Sequence, residues 1–227
     1  MRTRIAVAVA RKDLRIEANS RVLTNQVAPF SAVVMVMFAF ALDNDGILQR
    51  VAPGLVWLAV LFSMLVVVQR GFSVETADGA LDSLRVAGVD PAAIFWGKAV
   101  ALMAQLAALE ALLVATAIIL YNSSLDGAAA VVLAVVTIVV ATAGLGFVGI
   151  LYGGLAAGAR GRETLLPLLL LPVVAPVLIG ATRATEAAFG AGGATVSEGW
   201  PWVGLLAVFA VVFGAVGSLA FGPLIDE

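Results

Sequence analysis

The chain has 227 residues, of which 62% are apolar and only 12% charged, with a formal net charge of −2. A soluble domain carries about 25% charged residues, so the balance excludes a water-soluble globule, and the near-neutral charge offers nothing to nucleic acid. There is no cysteine and no histidine, which removes disulfides, thiolate chemistry and the commonest metal and haem ligands.

In chain order, residues 1–23 carry six basic side chains, Arg2, Arg4, Arg11, Lys12, Arg15 and Arg21. The apolar run Ile5–Ala10 is too short for a secretory signal, and charge resumes at Arg11. Residues 3–20 read as an amphipathic helix at the membrane interface. Ile5, Val9 and Ile16, or Val7 and Leu14, share an apolar side, while Arg4, Arg11, Lys12 and Arg15 reach lipid headgroups. A solvated basic tail is the plainer alternative.

Six apolar segments follow, at roughly 24–42, 52–69, 97–121, 129–158, 165–183 and 201–221. A bilayer core about 30 Å thick takes about 20 apolar helical residues to cross. The expected fold is therefore all-α, a polytopic membrane protein in which residues 24–227 form one six-helix transmembrane domain. Such a domain leaves no room for a separate soluble catalytic unit. Eleven Lys and Arg residues fall on the side of the N-terminus, against Arg50 and Arg183 on the other. The positive-inside rule then puts both termini in the cytoplasm.

The connections differ in character. Asp43-Asn44-Asp45-Gly46 and Tyr121–Gly127 read as outer turns. Residues 70–97 form a long polar loop on the basic side, in which Ala80, Leu81, Leu84 and Arg85 have helical spacing. Asp78 or Asp82 stands at the favourable positive end of that turn. Gly88 closes it, and Pro91 opens the next helix at its first position. This is either a docking helix for a partner or a hairpin packed on its own bundle. The Gly-rich stretch 183–200 suggests a small cap or re-entrant element on the outer side.

Within the spans, Glu110 is the one acid at depth. A charge at mid-bilayer costs roughly 2.5–3.5 kcal/mol on insertion scales, so such a residue faces protein or water. It either lines a cavity or bonds to a neighbouring helix, the second being the commoner case. Gly144-Leu145-Gly146-Phe147-Val148-Gly149 spells a dinucleotide fingerprint, but it sits inside an apolar helix with no preceding strand. Its use is close packing, with Gly149, Gly153, Gly154 and Gly158 at small-residue spacing. Pro167, Pro172 and Pro176 crowd the fifth span. Pro172 and Pro176 are candidates for a gate beside a cavity, against the simpler reading of a static kink. Met35, Met37, Met64, Met103, Tyr121 and Tyr152 are conceivable haem ligands, though Met in an apolar helix usually packs. No metal site is expected.

Read together, Arg50–Trp57, Gln69-Arg70-Gly71-Phe72, Asp78–Leu84, Ile94–Lys98, Gly146–Gly149 and the Pro-rich Leu170–Thr182 resemble the CcmB family. These are membrane subunits of the cytochrome c maturation ABC transporter. The resemblance covers nearly the whole chain and, more broadly, extends to type-2 ABC exporter permeases. It implies a non-catalytic permease working as a homodimer in the cytoplasmic membrane. Partners implied are a CcmA-like cytoplasmic ATPase, a haem-handling membrane subunit and a haem chaperone. Glu75, Asp78, Gly79, Leu81, Asp82, Leu84 and Arg85 are then the ATPase-coupling residues. No cofactor is expected to be bound directly, and haem is the pathway's substrate. The sequence contains no G-x-x-x-x-G-K-[ST] phosphate loop, consistent with ATP bound on another subunit. The stretch after Arg183 departs from the family pattern, so no roles are carried there. Other readings are a type-2 exporter permease for another small molecule or lipid, and a scaffold or channel without ATP coupling.

Overall fold

The computed structural model describes residues 2–42, 44–77, 86–157 and 162–226. Seven α-helices make up the described residues: α1 (Arg2–Ser20), α2 (Ala28–Ala41), α3 (Asp45–Ala77), α4 (Pro91–Leu120), α5 (Ala128–Ala157), α6 (Arg162–Phe189) and α7 (Val196–Asp226). One π-helical turn, Leu23–Val27, leads into α2. Six stretches are long and apolar enough to cross a membrane: Leu23–Ala41, Gly46–Ser73, Pro91–Leu120, Ala128–Ala156, Leu165–Phe189 and Val196–Leu224. The chain is a multi-pass membrane protein, and all six sequence-read spans are present.

The helices outrun the apolar windows. At 1.5 Å per residue, the 33 residues of α3 extend about 50 Å, well beyond the hydrocarbon thickness of about 30 Å. The loop expected over 70–97 is correspondingly shorter. Residues 71–77 continue α3, and α4 already begins at Pro91. Hydropathy marks where lipid ends, whereas a helix continues as long as its backbone is bonded and nothing caps it. The start of α4 is capped as its sequence suggests. The Asp90 side chain accepts from Ala92 N at 3.0 Å with Pro91 in the first turn, and Gly88 before it has φ +67°.

The Gly-rich stretch after Arg183 forms no separate cap or re-entrant element. Its apolar beginning, Ala184–Phe189, is the last part of α6, and a 3-10 turn at Ala191–Gly193 leads directly towards α7. Gly190, Gly192 and Gly193 all have positive φ, a conformation that favours glycine. Asn44 marks another turn, its side chain accepting from Ile47 N at 3.1 Å to cap α3.

α5 is the central helix, packing on α3, α4, α6 and α7. Its glycines make this possible. A Cβ at Gly153 would run into Phe72 and, at 2.7 Å, Val68 of α3. One at Gly154 would meet Phe221 of α7 at 2.9 Å, and one at Gly149 would crowd Leu102 and Val68. The close packing read from sequence is therefore intramolecular at these three positions. Gly158 lies outside the described residues. Aromatic side chains fill the space so opened. Phe95 stacks on Phe147 at 5.9 Å and meets Phe221 at 5.7 Å, and Gly217 of α7 closes directly over the Phe95 ring. Buried polar ties join helices: Trp57 Nε1 donates to Thr185 Oγ1 at 2.9 Å, and Tyr121 Oη to the Met35 carbonyl at 2.7 Å.

Candidate functional site

The bundle has one end that collects charge. It holds α1, the end of α3 and the start of α4. α1 does not merely rest beside the bundle; it packs along the first half of α4. Gly97 is what allows the approach, since a Cβ there would lie 2.6 Å from the Ala6 carbonyl and 2.7 Å from Val9 Cβ. Val9 and Ala10 are buried in this contact.

Ion pairs flank the crossing. The Arg2 guanidinium pairs with the Asp90 carboxylate, the group that also caps α4. Further along, Asp13 lies 3.0 Å from Lys12 Nζ and 3.5 Å from Lys98 Nζ. Lys98 is almost completely buried, with 4% of its side chain exposed, and its ammonium sits 5.0 Å from the centre of the Phe72 ring on α3. One turn beyond Asp13, Glu17 Oε1 accepts from Leu23 N at 2.5 Å, bridging the break where Arg21 adopts φ +52°. A cavity of about 80 Å³ lies beneath, lined by Asp13, Glu17, Phe72, Lys98, Gln105 and Ile150 among others. Gln105 Oε1 has no hydrogen-bond partner among the described residues.

The opposite side of α1 carries an open groove of about 720 Å³, bordered by Arg4, Val7, Arg11, Lys12, Arg15 and Ile16. The amphipathic helix expected over 3–20 is thus present. Of its two suggested apolar sides, Val9 faces protein, whereas Val7, Leu14 and Ile16 are exposed.

The sequence-read site residues that are described lie on different helices. Glu75 belongs to the last turns of α3, but its side chain is not described. Asp78, Gly79, Leu81, Asp82, Leu84 and Arg85 lie outside the described residues. Glu110 is buried between α4 and α5, where Thr142 Oγ1 donates to its Oε2 at 2.6 Å while Oε1 has no partner. It faces protein, as the neighbouring-helix reading held. Pro172 and Pro176 are exposed on the outer surface of α6, on the same side as Leu168 and Ile179. α6 runs through all three prolines without interruption. Met35 and Met64 are fully buried in the core, and the Tyr121 hydroxyl is engaged. Among the described residues no cluster of three or more acids could hold a metal ion.

Sequence reasoning missed the Asp13–Lys98 pair, Thr142 and the Gly97 crossing. Lys98 was in view as a basic residue at the edge of a span. A lysine there, facing a helix that also carries Asp13 and Glu17, was the one available signal.

Six spans, one of them a glycine-packed central helix, with a charged helix docked at one end, define a polytopic helical membrane protein with no catalytic constellation among the described residues. The family model described as "CcmB protein" matches residues 4–226. The chain belongs to the CcmB family. Among its relatives are proteins named heme exporter protein B. That of Bradyrhizobium diazoefficiens is 31% identical over 159 residues, covering 70% of each chain. That of Haemophilus influenzae is 30% identical over 195 residues, covering 86% of this chain and 82% of the relative. The Escherichia coli protein is 28% identical over 192 residues, covering 84% and 82%.

Proposed function

We propose that this chain is the membrane subunit of an ABC transporter serving cytochrome c maturation. In this role it couples ATP hydrolysis on a partner subunit to haem export, or to release of a haem-loaded chaperone. The observation that carries the reading is the family match over residues 4–226, supported by relatives named for haem export. The sequence has no phosphate loop of its own, so the ATP is taken to be hydrolysed by a cytoplasmic ATPase subunit. The basic end is the cytoplasmic end, following the eleven-to-two asymmetry of Lys and Arg. The membrane is the cytoplasmic membrane, and two copies of the chain form the working unit.

In this reading the ATPase docks on residues 75–85, with Leu81 and Leu84 entering a cleft on the partner and the acids flanking it. The exposed groove of α1 sits at the headgroup level of the same leaflet, where each Lys or Arg near an anionic surface contributes about 1 kcal/mol. Haem is the pathway's substrate, and tight axial ligation by this chain is not part of the scheme. The core methionines are packed, and His and Cys are missing.

The test is co-expression with a CcmA-like ATPase from the same cell. The two are expected to co-purify, and Leu84→Asp is expected to lower both co-purification and ATP turnover without reducing membrane insertion. An unmodified chain that purifies as a stable bundle without any ATPase contradicts the reading.

A further inference from the structure

The functional reading leaves α1 as a helix at the membrane surface, but its packing is more specific than that. Arg2 holds Asp90, which caps the start of α4. Asp13 holds Lys98, whose ammonium also lies over Phe72 near the end of α3. Both anchor points therefore lie on α4, at its cap and two turns further in, and the second reaches the end of α3 through the Phe72 ring. Glu17, one turn further, bonds the backbone of Leu23, the first residue of the first span.

We propose that α1 is a clamp on the start of α4, linked through Lys98 and the Phe72 ring to the end of α3. Lys98 is its positioning residue, so that a displacement of those ends is carried to the start of the first span. The proposal rests on the functional reading above for the source of that displacement.

Three physical features favour a clamp over a passive anchor. First, burying a lysine in an ion pair is a poor way to gain stability, because desolvation offsets most of the Coulombic attraction. A helix held only by lipid needs no buried partner. The geometry at Lys98 instead fixes the register of α1 on α4 and ties that contact to α3. Second, the contact at Gly97 is backbone against side chain with no room for a Cβ, so α1 cannot slide there without moving α4. Third, the joint is tight at Gly97 and loose beside Lys98. The cavity of about 80 Å³ exceeds the roughly 30 Å³ that a water occupies in the liquid. Gln105 Oε1 sits there without a partner among the described residues. Polar groups with space around them can exchange partners as the helices shift, which a close-packed apolar contact cannot do.

The chain has no cysteine, so one introduced thiol reports on one place. The experiment uses the full complex with its ATPase in membranes and Gln26→Cys as reporter, an exposed position in the first turns of the first span. The rate of thiol labelling is measured without nucleotide and with ATP trapped by vanadate. The expected result is a nucleotide-dependent change in labelling that Lys98→Met abolishes while the ATPase still co-purifies, and that Lys98→Arg restores. Glu17→Ala, a change at a partly exposed residue that leaves Lys98 intact, is expected to abolish it too. It keeps the test open should Lys98→Met fail to fold. A response that survives both substitutions overturns the clamp, as does an intact complex with no response at position 26. An unmodified chain that recruits no ATPase is a different failure, which defeats the functional reading and this proposal with it.

Discussion

The packing around α5 and the junction under α1 hold helices together by different means. Around α5, glycines face aromatic rings and branched chains: Gly153 against Phe72 and Val68, Gly154 against Phe221, and Gly217 of α7 over Phe95. Nothing there can move a few tenths of an ångström without opening a void or a clash, because interiors pack to crystal density. Under α1 one steric contact, Gly97 against Ala6 and Val9, is flanked by charged ties: Arg2 with Asp90, Asp13 with Lys98, Glu17 with a backbone N–H. Charged partners tolerate changes in distance and angle that steric contacts do not. The contrast assigns a static scaffold to the middle of the bundle and an adjustable joint to its basic end, which suits a subunit that relays motion.

Breaking the scaffold gives the largest effect. Gly153→Leu places a side chain where Phe72 and Val68 already lie, and overpacking of this kind costs about 1–3 kcal/mol or more. Folded protein recovered in detergent is expected to fall sharply, with the remainder melting at a lower temperature. Near-normal yield and melting would show that α3 and α5 are not in the contact described.

A smaller effect sharpens the comparison at the one polar site inside the scaffold. Thr142→Val removes the hydrogen bond that Thr142 donates to the Glu110 carboxyl, and leaving a buried polar group unsatisfied costs about 1–3 kcal/mol. Adding Glu110→Leu removes the orphaned group as well, so the double variant is expected to recover most of the loss in thermal unfolding. If stability recovers while cytochrome c yield does not, Glu110 has a role beyond joining α4 to α5.

The smallest effect is expected at the rim of the joint. The Arg2 side chain is 82% exposed, and exposed ion pairs contribute about 0–1 kcal/mol. Arg2→Ala should leave the melting temperature nearly unchanged at moderate salt, in contrast to Gly153→Leu. A large loss would mean that the joint contributes to stability as the scaffold does.

The two regions were unequally legible in the sequence. Hydropathy alone gives the six spans, because twenty-residue apolar runs have one use in a chain of this composition. The spacing of Gly149, Gly153 and Gly154 announces close packing, though not which helices approach. Helix ends were misjudged where α3 and α4 extend past their apolar windows, since polar helical turns carry no hydropathy signal. The stretch 184–189 was mistaken for a separate element because Ala-rich residues next to glycine suit both a short helix and the end of a long one. The joint was nearly invisible. Asp13 and Lys98 lie 85 positions apart, and only the fold shows that Gly97 brings them to the same place. The Pro172 and Pro176 side of α6 shows the converse. Residues suggestive of a gate turn out to face outward from the chain.

The central claim is that the chain works in cytochrome c maturation as a membrane subunit. The most direct measurement is deletion of its gene in its own cell, followed by haem staining of c-type cytochromes and immunodetection of their polypeptides. The account predicts that holo-cytochrome c disappears while the apocytochrome polypeptide and b-type haem proteins remain, with recovery on restoring the unmodified gene and not the Leu84→Asp variant. Normal holo-cytochrome c in the deletion strain would contradict it.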